Sequence, residues 1–438
     1  MYRLNEHQNG SLHFALDSDD GTGNRFTVII GPNGTGKSQL LRSIAETSRA
    51  SISDHRGELF DSRPAHIMGS LLVLSNMVTD VFVNTSKNRG SYRYLGLRQA
   101  SNNTSTGALR DITSTSIIEC LRSPSGMERL WPIIETLGGN NIFLRFERVH
   151  TKSNRSSDEI TLIERFLESL ERDQERSHYV APETLLAELQ TLNEVALRYN
   201  KLPPVEKREN AALDLFWSIS ARFQLDAEDL TKILRRLGYV TLKVHIEMKN
   251  RVVDLDGLST GQLLLLSTFA RVAANVSPDS LVIIDEPEVG LHPNWQSEWI
   301  PLMRETIPSE FGCHLLIATH SPYLVSDADD VLVPDKEWGS FAQFDEPYQG
   351  RSVENILYRV FNARVSGNLM VENDLRTLIQ FISQSSVAFD PDNPIQPSRP
   401  MHQLQKANDA LARLRRIQGS DTETLNLIID QASEVLAR

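Results

Sequence analysis

The octapeptide Gly31-Pro32-Asn33-Gly34-Thr35-Gly36-Lys37-Ser38 restricts this chain more than any other feature. It satisfies GxxxxGK[ST] and stands between a short β-branched run, Arg25 to Ile30, and a segment with helical spacing, Gln39 to Ala45. Strand, glycine loop and helix in that order form a cradle for phosphate. Glycines let the backbone wrap anionic oxygens, and the helix N-terminus turns its free N–H groups on them. Lys37 is expected to reach the β- and γ-phosphates, and the Ser38 hydroxyl to ligate Mg²⁺.

Further along, Ser280-Leu-Val-Ile-Ile284 reads as a buried strand that ends in two carboxylates, Asp285 and Glu286, before Pro287. Open α/β sheets bind ligands at such strand ends. The expected division of labour is Asp285 on Mg²⁺, directly or through its water, and Glu286 polarising the attacking water. Neighbouring side chains on a strand point to opposite faces, so two adjacent acids need distinct tasks. Just before this strand lies Leu258-Ser259-Thr260-Gly261-Gln262, which opens a helix from Leu263 to Ala274; taken alone, it is an ordinary N-cap. A second apolar run, His314 to Ala318, ends in Thr319-His320-Ser321-Pro322 and sets an imidazole at the same sheet edge.

With 438 residues, 40% of them apolar, the chain has material for two or three units with substantial cores. The first half of an α/β core is expected over 1–114, with a strand over 66–74 and a polar loop from Asn84 to Thr113. An inserted helical lobe is expected over 115–239, interrupted at Pro203-Pro204, and the second half of the core over 240–335, opening with the strand Val240–Met248. A mainly helical extension should follow over 336–438, loop-rich to about Ser352, with a terminal hairpin split at Gly419 that serves packing, oligomerisation or partner docking. The two cysteines, Cys120 and Cys313, have no ligand spacing and suit core positions in a reducing compartment. No apolar run reaches membrane-span length and the first residues are polar, so no membrane association and a cytoplasmic location are expected. A net charge of −12 repels phosphate backbones, so direct DNA binding would need a local basic loop. Lys87, Arg89, Arg93 and Arg98, interleaved with Tyr92 and Tyr94, are the candidates; a charged, solvated loop is the plainer reading. Glu372, Asp374, Asp390 and Asp392 superficially resemble a nuclease centre. They lie too close together for a two-metal βαβ site, and Glu372 and Asp374 read more simply as helix N-terminal acids.

The order of phosphate loop, LSxGQ-like segment, acid-tipped strand and strand-end histidine resembles the ATP-binding-cassette ATPase superfamily. Glu286-Pro-Glu-Val-Gly-Leu-His-Pro293 is similar to the EPExxLHP pattern of the AAA-21/AAA-15 group of ABC-type ATPases, with heads like those of SMC and RecF proteins. The fold implied is a P-loop NTPase head with an inserted helical lobe and a C-terminal helical extension. The resemblance implies ATP and Mg²⁺ as cofactors and a head-to-tail dimer or higher oligomer of this chain. In that arrangement Ser259, Gly261 and Gln262 would face the nucleotide of the neighbouring subunit, and His320 would be the switch histidine. Within the group the chain looks most like anti-phage defence ATPases such as the Septu subunit, which works with a separate HNH-type nuclease. A DNA-repair ATPase of the SMC/RecF type is the alternative, disfavoured by the lack of sustained heptads. A transporter motor is disfavoured by the sequence after Glu286. The family's glutamine after the second strand is missing, since Leu74 is followed by Ser75-Asn76, and its replacement stays open.

Overall fold

Four five-residue runs, Arg25–Ile29, Leu71–Ser75, Leu281–Asp285 and His314–Ala318, are buried along their whole length. Strands covered on both faces are mainly apolar: three of these runs carry a polar residue only at one end, and in the fourth the interior Thr27 donates its hydroxyl to Asp330 Oδ2 at 3.0 Å. The structure, a computed structural model, describes residues 1–17, 21–54, 68–77, 79–84, 91–97, 106–148, 158–171, 181–199, 211–249, 251–349, 353–361, 369–387, 401–415 and 428–433. In chain order the elements are β1 (Glu6–Asn9), β2 (Leu12–Ala15), β3 (Arg25–Ile29), α1 (Lys37–Asp54), β4 (Leu71–Ser75), β5 (Tyr92–Tyr94), α2 (Thr106–Cys120), α3 (Pro124–Thr136) and β6 (Gly139–Arg148). There follow α4 (Glu159–Glu171), α5 (Pro182–Tyr199), α6 (Ala211–Phe223), α7 (Ala227–Leu237), β7 (Val240–Met248), β8 (Arg251–Asp254), α8 (Thr260–Asn275), β9 (Leu281–Asp285), α9 (Pro293–Ser297), α10 (Trp299–Thr306) and β10 (His314–Ala318). The chain continues through β11 (Asp330–Pro334), β12 (Ser340–Gln343), α11 (Val353–Arg359), α12 (Leu369–Val387) and α13 (Met401–Arg415).

These elements form two compact units. The first comprises Met1–Leu4, Asp19–Arg25 and Leu41–Ile317. In it β5, β4 and β9 run parallel, and their register sets Ser75 opposite Asp285. The strand expected over 66–74 begins only at Leu71; His66 and Ile67 lie outside the described residues. Gly69 fixes that start, because its N–H binds Asp279 O at 2.9 Å and a Cβ there would stand 2.2 Å from Pro278 O. The expected loop 84–113 contains β5 and the start of α2. A three-residue strand carries too little periodicity to be read, and the Ser/Thr-rich α2 hides its helix behind hydroxyls that return to backbone carbonyls, as Thr113 Oγ1 does to Leu109 O at 2.6 Å.

The segment expected as a helical lobe also holds a ten-residue strand, β6, which pairs antiparallel with β7. Ile142 lies opposite Ile246 and Phe146 opposite Leu242, and β8 completes this three-stranded sheet. Helices α4 to α7 belong to the same stretch. Of these, α7 is bounded by an Asp226 N-cap and by Gly238 at φ 69. Both cysteines are free and buried; burial pushes the Cys120 thiol up to about 12 and the Cys313 thiol up to about 11, as expected of inert core side chains. Pro203 and Pro204 lie outside the described residues.

The same unit contains a buried histidine with consequences for acid stability. His314 Nδ1 accepts the Leu4 N–H at 3.0 Å. Burial first, then Arg25 and Arg3, push its pKa down to about 3 from 6.5. Above pH 6.5 both folded and unfolded chains hold it neutral. Below that, only the unfolded chain takes the proton, so stability is lost as pH falls. The expected contribution of this residue between pH 7.5 and 5 is a loss of about 2 kcal/mol. Urea unfolding at the two pH values measures it. His314→Asn, which keeps an acceptor but does not titrate, should lose correspondingly less.

The second unit comprises Asn5–Ser18, Phe26–Leu40 and Ala318–Arg438. Its strands lie in the order β1-β2-β12-β11-β3, with β11 parallel to β3 and β12 parallel to β2. The β1–β2 hairpin turns through Gly10-Ser11, with Gly10 at φ 63, a glycine turn for which the sequence analysis made no provision. β12 occupies part of the stretch expected as loop after Val333. Farther on, α12 and α13 enclose a core that includes Leu378, Phe381, Leu411 and Leu414. Asp374 holds it together: both carboxylate oxygens bind Arg413, and Oδ2 takes the Tyr358 hydroxyl at 2.6 Å. This half-buried fork replaces the helix-dipole role expected of Asp374. Gly419, Asp390 and Asp392 lie outside the described residues.

Candidate nucleotide-binding site

β3 delivers the chain into the phosphate loop and α1 begins at Lys37. Pro32, Asn33 and Gly34 are exposed, and Thr35 closes the turn by donating its hydroxyl to Pro32 O at 2.9 Å. Gly31 has φ 151, and a Cβ there would stand 2.7 Å from Pro334 Cγ and 2.8 Å from Thr35 Oγ1. Only glycine fits this backbone path. Lys37 is 5% exposed; its ammonium donates to Gly31 O at 2.8 Å and Pro32 O at 3.4 Å, and lies 2.8 Å from His320 Nε2. Two residues read separately from the sequence therefore meet. With the ammonium donating, the imidazole presents its Nε2 lone pair. The chain is steered there by Thr319 N–H, which binds Ile29 O at 3.1 Å, and by a hydroxyl turn in which Thr319 Oγ1 accepts from Ser321 N–H. Ser38 follows Lys37 in the first turn of α1, half-buried.

In the first unit, Asp285 ends β9 and is 4% exposed. Glu286 lies just beyond the end of the strand. Its φ is 53, a left-handed conformation unusual outside glycine. Such backbone costs energy, about 1 kcal/mol or more, and concentrates where a side chain must be aimed. Pro287 is buried behind it, Val289 N–H returns to Glu286 O at 3.4 Å, and the His292-Pro293 part of the motif starts α9, with His292 Nδ1 capping Asn294 N–H at 3.3 Å.

The 258–262 segment is the exposed start of α8. Ser259 Oγ accepts Gln262 N–H at 3.3 Å, and Gln262 Oε1 accepts Ser259 N–H at 2.9 Å, a complete capping box. Gly261 sits against the turn after Glu286: a Cβ there would stand 3.1 Å from Trp295 Cζ3 and 3.2 Å from Gly290 O. Packing thus ties the signature-like segment to the acid-bearing turn of the same unit.

Residues 26–326 match the family described as AAA domain, putative AbiEii toxin, Type IV TA system. The chain belongs to that family. The match takes in the phosphate loop, Asp285, Glu286 and His320. Among curated proteins, protein ea59 of Escherichia phage lambda is 36% identical over 70 residues, a match covering 16% of this chain and 13% of ea59. Among solved structures, the SMC head domain from Thermotoga maritima is 20% identical, covering 24% of this chain and 39% of that one, with a TM-score of 0.20. An ATP-binding cassette of an ABC transporter in its ADP conformation is 14% identical, covering 82% and 92%, with a TM-score of 0.29.

Two features of this AAA-family chain escaped the sequence reading. Arg271, in the otherwise apolar α8, is fully buried and drawn down to about 9 by that burial. Its Nη2 donates to Asn76 Oδ1 at 2.7 Å, its Nε to Ser267 O at 3.0 Å, and its Nη1 to Leu95 O. Asn76 also donates to Thr268 Oγ1 at 3.1 Å, so the residue after β4 is a structural link to α8. A lone arginine in an apolar helix was the available signal. The second feature is Trp338, whose ring lies on the phosphate loop. Of the basic loop, Lys87, Arg89 and Arg98 lie outside the described residues, while Arg93 donates to Asn275 Oδ1 at 2.9 Å. Tyr94 is 5% exposed with its hydroxyl on Asp80, so its ring offers no stacking face. Among the described residues, no helix is long and apolar enough to cross a membrane.

Proposed function

We propose that this chain binds ATP with Mg²⁺ at residues 31–38 and hydrolyses it to gate a separate effector, a nuclease of HNH type, in an anti-phage defence system. The observation that carries the nucleotide reading is the buried Lys37 ammonium, held on two loop carbonyls and against His320 at an exposed loop. A triphosphate offers that cation stronger acceptors than the carbonyls do. From the sequence motifs alone, Ser38 and Asp285 are each proposed as an oxygen donor for Mg²⁺. A hydroxyl and a carboxylate suit a hard cation that takes its remaining ligands from water and phosphates. When bound, Mg²⁺ neutralises charge on the β- and γ-oxygens. Glu286 is the proposed base for the attacking water, and His320 the group that exchanges Lys37 for the γ-phosphate.

The exposed start of α8 supports a head-to-tail pair of chains in which Ser259, Gly261 and Gln262 face the partner's nucleotide. A repair ATPase with a long coiled-coil arm is less well supported. The longest described helix between the phosphate loop and Ser259, beyond α1, is α5 with 18 residues, about 27 Å. DNA contact through the 87–98 loop stays a subsidiary part of the proposal.

Lys37→Ala tests the foundation. The folded variant, verified by circular dichroism, should bind ATP at least about tenfold more weakly, the scale of one lost charge-assisted contact. Unchanged ATP affinity in calorimetric titration would reject the reading. An adjacent nuclease gene whose product degrades DNA only together with this ATPase supports the effector role; recombination genes in its place count against it.

A further inference from the structure

The turn between β11 and β12 lays an indole over the phosphate loop. Trp338 is 56% exposed, yet its Nε1–H donates to Gly34 O at 2.8 Å. The ring sits beside Gly36, where a Cβ would stand 3.4 Å from both Cε2 and Cζ2. The turn itself is held from behind. Gly339, at φ 80, lies so close to β2 that a Cβ would stand 2.7 Å from Leu12 Cδ2, β12 pairs with β2, and Ser340 Oγ meets His13 Nε2 at 2.9 Å. The sheet therefore fixes the indole's place on the loop.

A large aromatic surface left in water forgoes most of the free energy that its burial would release. Here the polar edge of the ring is engaged while more than half of the residue stays open. That combination suits a flat ligand which arrives at the loop and needs an apolar contact next to it. The loop recognises phosphates, and what a nucleotide carries beyond its phosphates is a flat base. The geometry points to Trp338 as the base platform of the nucleotide site, its exposed face stacking on the base of the nucleotide whose phosphates occupy residues 31–38. This assignment rests on the proposed nucleotide binding and adds to it the group that holds the base.

The test compares ATP with inorganic tripolyphosphate, a probe that has the phosphates and lacks the base, in titrations of the full-length protein. Trp338→Ala should weaken ATP about tenfold, the scale of one base–aromatic stack, and leave tripolyphosphate affinity unchanged. Trp338→Phe, which keeps a ring and loses the N–H, should recover most of the ATP affinity. Equal weakening of both ligands in Trp338→Ala would overturn the assignment in favour of a residue that merely shapes the loop. Undiminished ATP affinity would overturn it as well. Failure of the underlying reading looks different: the unmodified protein would then bind neither ligand, or Lys37→Ala would bind both as well as the unmodified protein does.

Discussion

Glu286→Gln is expected to retain ATP and to lose at least about a hundredfold of its turnover, the scale of a general base. Glutamine keeps the length and the acceptor oxygen but cannot take the proton of an attacking water. That proton moves in the transition state, so the loss falls on turnover and leaves ground-state binding largely intact. Glu286 has φ 53, and glutamine meets the same left-handed cost, so the substitution leaves the turn at the end of β9 in place. The measurements are steady-state phosphate release and equilibrium ATP binding on the same preparation. The proposed closed pair should accumulate, because ATP that favours it is no longer consumed. Full turnover would remove Glu286 from the chemistry and direct attention to Glu288 or His320. A parallel loss of ATP affinity would instead mean that the turn supports the fold of the site.

What the sequence exposed, and what it concealed, follows from the range of the interactions. The phosphate loop was legible because its constraints are local: Gly31 must follow its path whatever surrounds it, and Lys37 and Ser38 are fixed by their place in the first turn of α1. β9 and β10 were legible because burial on both faces forces an apolar run with abrupt ends. β5, β6 and β12 escaped for the opposite reason. Each owes its place to a partner strand: β5 to β4, β6 to β7 a hundred residues away, and β12 to β2 and β11. No local pattern in Tyr92–Tyr94 or Ser340–Gln343 encodes such a register. In the site, His320 was readable as a strand-end residue, but its meeting with Lys37 depends on Thr319 binding β3. Trp338 was unreadable in the same way, since only the β11–β12 turn brings it to Gly34. Asn76 shows the converse: it stands where the family's glutamine is missing, and the buried Arg271 that it holds comes from α8, 195 residues away.

Disabling the 258–262 segment should abolish ATP-dependent pairing and hydrolysis while each chain still binds ATP. Gly261→Glu adds an anion where like-charge repulsion in a dehydrated interface is severe, but any side chain at Gly261 also crowds Trp295 and Gly290, so a failure there has two explanations. Ser259→Asp separates them. Ser259 is exposed, and aspartate caps a helix as well as serine, so α8 and its contact with the Glu286 turn persist while the new charge faces outward. If the segment acts on the partner's nucleotide, Ser259→Asp alone should remain monomeric with ATP in sedimentation and should not turn over. A mixture with Lys37→Ala should recover part of the activity. A pair of these variants contains one site with an intact phosphate loop facing an intact signature, and one site damaged on both sides. Recovery requires that the two halves of a site come from different chains. Normal ATP-dependent pairing and turnover by Ser259→Asp alone would reduce the segment to the capped start of a helix.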